Sequence, residues 1–194
     1  MKKISYAIGM NIAANMKQTG VNDLDWEAVT AGMKAVIEGT KPEVDPKEAG
    51  QLLNKYFTEL EEKLHQKAIE DGAAFLAANG ERKEVVTLAS GLQYEILKEG
   101  NGEKPKASDS VKCHYHGTLI DGTVFDSSVR RGEPAVFPVG GVIKGWVEAL
   151  QLMPVGSKWK LYIPYDLGYG ARGAGESIAP YSTLIFEVEL LEIV

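Results

Sequence analysis

After Pro46 the chain carries no proline, and it keeps a helix-forming composition as far as Asn79-Gly80. A proline-free run of about 33 residues constrains that stretch to one long helix, about 50 Å at 1.5 Å per residue. Asp45-Pro46-Lys47-Glu48 opens it. Aspartate caps, proline is tolerated at the first helical position, and a glutamate three residues after the cap can complete a capping box. Its apolar positions Leu53, Phe57, Leu60 and Leu64 form a seam, which then thins into EEKLHQKAIEDG, polar nearly all round. A helix buried along one part and solvated along the next commonly joins domains or subunits.

Glycine and proline divide the chain around this helix. Residues 1–90 hold 7 Gly and 2 Pro, whereas residues 91–194 hold 14 Gly and 6 Pro. The first part reads as helix throughout. Ile4, Ile8, Ile12 and Met16 recur at spacings of four, and Trp26, Val29, Met33 and Val36-Ile37 form a second stripe stopped by Gly39. These short helices bury little by themselves. An interaction module, a homodimer for instance, and an ordinary three-helix bundle in a monomer both satisfy the periodicity.

From Val85 the pattern changes to short apolar runs with turns between them: 85–88, 92–97, 111–119, 123–127, 135–139, 158–164 and 184–193. Asp121-Gly122 is a hairpin signal between the third and fourth runs. One short helix is expected at 146–152, with Gly145 before it and Pro154 after it. The fold class is therefore α+β: an N-terminal all-helical domain with a long connecting helix, then an antiparallel sheet wrapped on a short helix. The expected domains are 1–80, including the connecting helix at 46–79, and 81–194.

Charge narrows the function classes. The net charge is −6 and each part contributes −3, 11 basic against 14 acidic and then 10 against 13. That balance argues against nucleic-acid and membrane-surface partners. No segment reaches the roughly 18 apolar residues of a membrane helix. Met1-Lys2-Lys3 resembles the basic start of a secretory signal, but Asn11 and Asn15 interrupt the apolar stretch after it. The expected compartment is cytoplasmic, or periplasmic or outer-membrane associated if a leader has been removed. The single cysteine, Cys113, excludes an intrachain disulfide framework.

The usual catalytic groups are poorly arranged. In VKCHYHG, strand alternation puts Cys113 and Tyr115 on one face and His114 and His116 on the other, so no adjacent thiolate–imidazole pair forms. The two histidines lack a third ligand nearby. Gly168-Tyr169-Gly170-Ala171-Arg172-Gly173 fits the dinucleotide pattern G-x-G-x-x-G, yet a loop succeeds it where that motif must open a helix. The remaining candidates are apolar residues at turns and strand ends beside one aspartate: Tyr115, Phe125-Asp126, Phe137, Val142-Ile143, Trp146, Tyr169 and Phe186. An apolar cup with few polar groups is the general form of a small-ligand site, although a β domain also needs such residues for its core.

The runs GTLIDGTVFDSSVRRGEP, VIKGWVEALQLMPVGSKWKLYIPYDLGYG and TLIFEVELLEI closely resemble the FKBP-type peptidyl-prolyl isomerases, over about residues 91–194 and in the family's order. The N-terminal helices with SGLQYEILKEG resemble the subgroup that includes macrophage infectivity potentiator. The resemblance implies an FKBP-like sheet and catalysis of X–Pro isomerisation in proline-containing peptides and unfolded proteins. It also implies a homodimer through the N-terminal helices. Trp146 would be the floor under the prolyl ring, with Tyr115, Phe125, Val142, Ile143 and Phe186 as walls. Asp126 would be the carboxylate at the pocket edge, held by Arg131, and Tyr169 would supply a hydroxyl to a substrate carbonyl. Ile178 corresponds to the loop residue that covers the pocket.

Three departures bear on substrate and macrolide inhibitor preference: Ala135 where many members carry an aromatic, the bare Gly140-Gly141 approach, and Ser177 and Ala179 where apolar and proline residues are common. Rotation about an amide breaks no bond, so neither metal nor cofactor is expected. A rival reading is a dimeric chaperone-like clamp for unfolded clients, with isomerisation incidental.

Overall fold

The computed structural model describes residues 1–194. They form two compact units, Met1–Leu64 and His65–Val194. Three helices run through the first part of the chain: α1 (Lys2–Gln18), α2 (Trp26–Glu38) and α3 (Pro46–Gly80). Local signals set their ends. The Asp25 carboxylate accepts from the Glu27 and Ala28 amides at 2.9 and 3.0 Å, and Gly39 closes α2 in the left-handed region at φ 65°. Asp45 caps α3 through the Lys47 amide at 2.9 Å.

Within the first unit the helices exist, but much of their apolar stripes stays uncovered, with Ile12, Met16, Val29 and Leu60 half-buried. Ile4, Ile8, Trp26, Leu53 and Phe57 are exposed, and Val36 and Ile37 reach 78% and 84%. Val21 is the one buried residue before His65. A three-helix bundle with its own core is therefore not what this unit forms.

In the second unit seven strands make one antiparallel sheet: β1 (Val85–Thr87), β2 (Gln93–Lys98), β3 (Ser110–Leu119), β4 (Val124–Ser127), β5 (Ala135–Pro138), β6 (Lys158–Ile163) and β7 (Leu184–Ile193). Their order is β1-β2-β6-β7-β3-β4, and β5 pairs with the start of β3. Two short helices complete the unit, α4 (Ser128–Arg131) and α5 (Lys144–Leu150). Every strand lies within a residue of its sequence expectation. The helix expected at 146–152 begins two residues earlier, because the Ile143 carbonyl already accepts from the Trp146 and Val147 amides at 2.9 and 3.1 Å. Helix α4 carries no periodic signal in the sequence. It is a single turn capped by Ser127 and ended by Gly132 at φ 74°.

The core lies between α5 and the inward face of the sheet. Val111, Cys113 and Tyr115 of β3 are buried with Leu161 and Ile163 of β6 and Leu184, Phe186, Val188 and Leu190 of β7, over Trp146, Ala149 and Leu150. Burying each large side chain of this set contributes about 1.5–3 kcal/mol. Gly145 brings α5 down onto β6, since a Cβ there would lie 2.7 Å from Ile163 Cγ2.

On the outward face the last turns of α3 cover the sheet. Phe75 packs on Tyr162 with ring centroids 6.0 Å apart. Asn79 donates to Gln93 Oε1 at 2.9 Å, and Gln93 Nε2 donates to the Leu76 carbonyl at 2.8 Å. The compact unit that carries the sheet thus includes the last part of α3, from His65.

Candidate active site

Strand β3 supplies the inward-facing Tyr115, and the hairpin to β4 returns Phe125 and Asp126 beside it. Gly122, at φ 84°, makes that hairpin possible. One turn further, α4 carries Arg131 back over the carboxylate. Phe137 comes from β5, Val142 and Ile143 from the approach to α5, Trp146 from its first turn, and Phe186 from β7.

These residues surround a cleft of about 540 Å³, within the roughly 300–1,000 Å³ of small-ligand sites. Its lining includes Tyr115, Phe125, Asp126, Phe137, Val142, Ile143, Trp146, Tyr169, Ile178 and Phe186. Ten of the eleven sequence-derived site residues thus meet in one place. The eleventh, Arg131, stands behind Asp126 and does not line the cleft.

The walls are rings set edge to face. Trp146 lies 5.6 Å from Tyr115, 5.7 Å from Phe137 and 5.3 Å from Phe186, with interplanar angles of 80–82°. Phe125 meets Phe186 at 5.3 Å and 80°. This is the favoured geometry for aromatic quadrupoles. Trp146 is 4% exposed, and its buried Nε1–H has no partner. Gly117 lies under this arrangement: a Cβ there would come within 2.6 Å of Phe125 and 2.9 Å of Phe186. Sequence reasoning missed it. The available signal was a glycine at an inward position of an otherwise branched and aromatic strand.

One polar cluster edges the cup. Tyr115 Oη donates to Asp126 Oδ2 at 2.5 Å. Arg131 Nη2 donates to Tyr115 Oη at 2.8 Å, and Arg131 Nη1 is bonded to Asp126 Oδ1. Partial burial opposes the charge on Asp126, but the Tyr115 and Arg131 hydrogen bonds outweigh it, so the carboxyl lies below its ordinary range. Burial and the Asp126 bond push the Tyr115 phenol up. Burial, then the Asp126 charge, does the same for Tyr169, so both hydroxyls keep their protons at neutral pH.

The far rim is a loop. Ala174 and Ile178 exchange backbone hydrogen bonds at 2.8 and 3.1 Å, and Gly175, Ser177 and Ile178 face the cavity. Ala174 and Gly175 were not expected as lining residues; short unpatterned loops give no periodicity to read. Across the sheet, His114 Nδ1 and His116 Nδ1 lie 3.1 and 2.9 Å from Ser128 and Ser127 Oγ, away from the cup. Burial pushes the Cys113 thiol up to about 12, leaving it inert.

An antiparallel sheet folded on one short helix, with an aromatic cup and a single ion-paired carboxylate at their junction, defines a binder of small apolar rings. The chain belongs to the FKBP-type peptidyl-prolyl cis-trans isomerases and is such an isomerase. Residues 101–191 match the family described as FKBP-type peptidyl-prolyl cis-trans isomerase, and residues 1–96 match the domain amino terminal to it. The FKBP-type 22 kDa peptidyl-prolyl cis-trans isomerase of Escherichia coli is 47% identical, over 97% of this chain and 93% of that protein. The outer membrane protein MIP of Legionella longbeachae is 43% identical, over 98% of this chain and 84% of its own. The crystal structure of FkpA from Escherichia coli superposes with a TM-score of 0.75 at 35% identity, covering 98% of this chain and 95% of that one.

A clamp with merely incidental isomerisation is not favoured by these relatives. Nor do they support a cytoplasmic location, since one is named as an outer membrane protein. No helix of the chain is long and apolar enough to cross a membrane.

Proposed function

We propose that the cup around Trp146 is where X–Pro bonds are turned. The observation that carries this reading is a buried indole ringed edge to face by Tyr115, Phe137 and Phe186, beneath an open cleft. Amide rotation faces a barrier of about 18–20 kcal/mol because resonance is lost in the twisted state. Unaided exchange takes roughly tens to hundreds of seconds. Water favours the planar, charge-separated amide through its carbonyl. A prolyl ring seated on Trp146 between Phe125, Val142, Ile143 and Phe186 exchanges that water for hydrocarbon, and resonance loses its solvent support. Each ~1.4 kcal/mol by which the cup favours the twisted over the planar amide gives about tenfold in rate.

Tyr169 is a protonated donor at the rim, suited to orienting the carbonyl as the bond turns. Asp126 is not a general base in this reading: its oxygens are already occupied by Tyr115 and Arg131, and its role is to fix the Tyr115 wall and the local field. Replacing Trp146 or Asp126 by alanine tests the assignment in a protease-coupled or NMR exchange assay. Activity should fall at least tenfold for Trp146→Ala; undiminished turnover in both variants rejects the site.

The uncovered stripes of residues 1–64 support a homodimer formed through the N-terminal helices. Proline-containing peptides and unfolded proteins are the substrates this cup suits. Its volume and aromatic walls also favour a macrolide inhibitor as competitor, with Ala135 and Ser177 setting its affinity.

A further inference from the structure

The loop that carries Ile178 over the cleft is held by something outside the cup. Tyr181, three residues further on, is the only residue other than glycine with a positive φ, at 59°. A large aromatic in that region is strained and persists only where its surroundings hold it. Here the hold is visible. The Tyr181 ring lies between His65 of α3, 5.1 Å away, and Tyr165, 5.3 Å away. Its amide donates to the Gly170 carbonyl at 2.9 Å, closing the base of the loop. Two residues later α3 presses on the chain again: a Cβ on Gly72 would stand 2.3 Å from Thr183 Oγ1.

The other side of the loop is equally tight. Gly173, at φ 64°, could carry no side chain, since a Cβ would lie 2.2 Å from the Ile178 carbonyl. Ala179 and Pro180 alone separate Ile178 from Tyr181, and Ser182 Oγ donates back to the Ala179 carbonyl at 2.7 Å. The Tyr181 ring and the residue that covers the cleft are thus joined by a short, hydrogen-bonded stretch of chain.

We propose that Tyr181 is a positioning residue, clamped between His65 and Tyr165, through which α3 sets the loop 170–183 and hence how well Ile178 closes on substrate. This rests on the cup being the prolyl site. It makes the second half of α3 part of the enzyme's specificity apparatus and more than a connector.

Steady-state exchange NMR on the full chain with a proline tetrapeptide tests it, combined with the methyl spectrum of isoleucine-labelled protein. Tyr181→Gly removes the ring at a position where glycine is unstrained, His65→Ala removes its neighbour from α3, and Tyr181→Phe keeps the ring. In the first two, KM should rise about three- to tenfold with kcat within about twofold, and the Ile178 methyl signal should shift. Tyr181→Phe should restore both to the wild-type values.

Wild-type KM and an unmoved Ile178 signal in folded Tyr181→Gly or His65→Ala protein overturn the proposal, as does a lowered melting temperature with KM unchanged. Should Tyr181→Gly not fold, His65→Ala decides alone. Full activity in both Trp146→Ala and Asp126→Ala would instead reject the cup as the prolyl site, and the Ile178 signal would still report whether Tyr181 positions the loop.

Discussion

In the proposed site Asp126 would serve catalysis without transferring a proton, because Tyr115 and Arg131 already hold its oxygens. Its pKa is lowered in the folded state, so its contribution to stability is complete above the ordinary carboxylate value of about 3.9 and is lost as pH falls through the lowered one. Peptide turnover should be flat from about pH 5 to 8 as far as this group is concerned. In acid titrations followed by thermal unfolding, Asp126→Asn should show a shallower loss of melting temperature below about pH 4 than the wild type. Gly117 gives a second residue-level test. A methyl group there meets Phe125 and Phe186, so Gly117→Ala should cost about 1–3 kcal/mol by denaturant unfolding and lower kcat/KM by distorting the wall. The inward direction of Tyr115 could be read from alternation in VKCHYHG. The Arg131–Asp126 pair could not: it depends on a one-turn helix with no period of its own, and only the family resemblance pointed to it.

Among the elements, legibility tracked burial. Strand β7 lies where its sequence alternation puts it, Leu184–Ile193, because one face is buried from Leu184 to Leu190. Helix α5 was displaced by two residues because Ile143 offers no side-chain cap to mark its start. The docking of α3 on the sheet was invisible in sequence, since Asn79 and Gln93 read as ordinary polar residues until their long-range partners are known. Both are buried. Gln93→Ala would leave the buried Asn79 amide without its acceptor and remove the tie to the Leu76 carbonyl, and should destabilise the protein by about 1–3 kcal/mol in thermal or denaturant unfolding.

For the molecule as a whole, strand order is the feature that local patterns cannot supply. The order β1-β2-β6-β7-β3-β4 joins distant parts of the chain through pairings such as Val111 with Ile193. Uncovered helices are the other large-scale fact. If residues 1–64 pair two copies, Ile37→Asp should convert a dimer into a monomer by light scattering. Short-peptide turnover should then persist while catalysed refolding of a proline-limited protein slows. A wild-type monomer at micromolar concentration would reject that arrangement.

The lone Cys113 has a practical consequence. It has no exposed surface, and its thiol is pushed up to about 12, so almost no thiolate exists near neutrality. The protein is thus in effect thiol-silent toward maleimide and spin-label reagents. A cysteine introduced at an exposed position such as Val36 can be tagged selectively without first removing the native one, which opens the N-terminal helices to distance measurements in a chain whose sheet is otherwise unaltered.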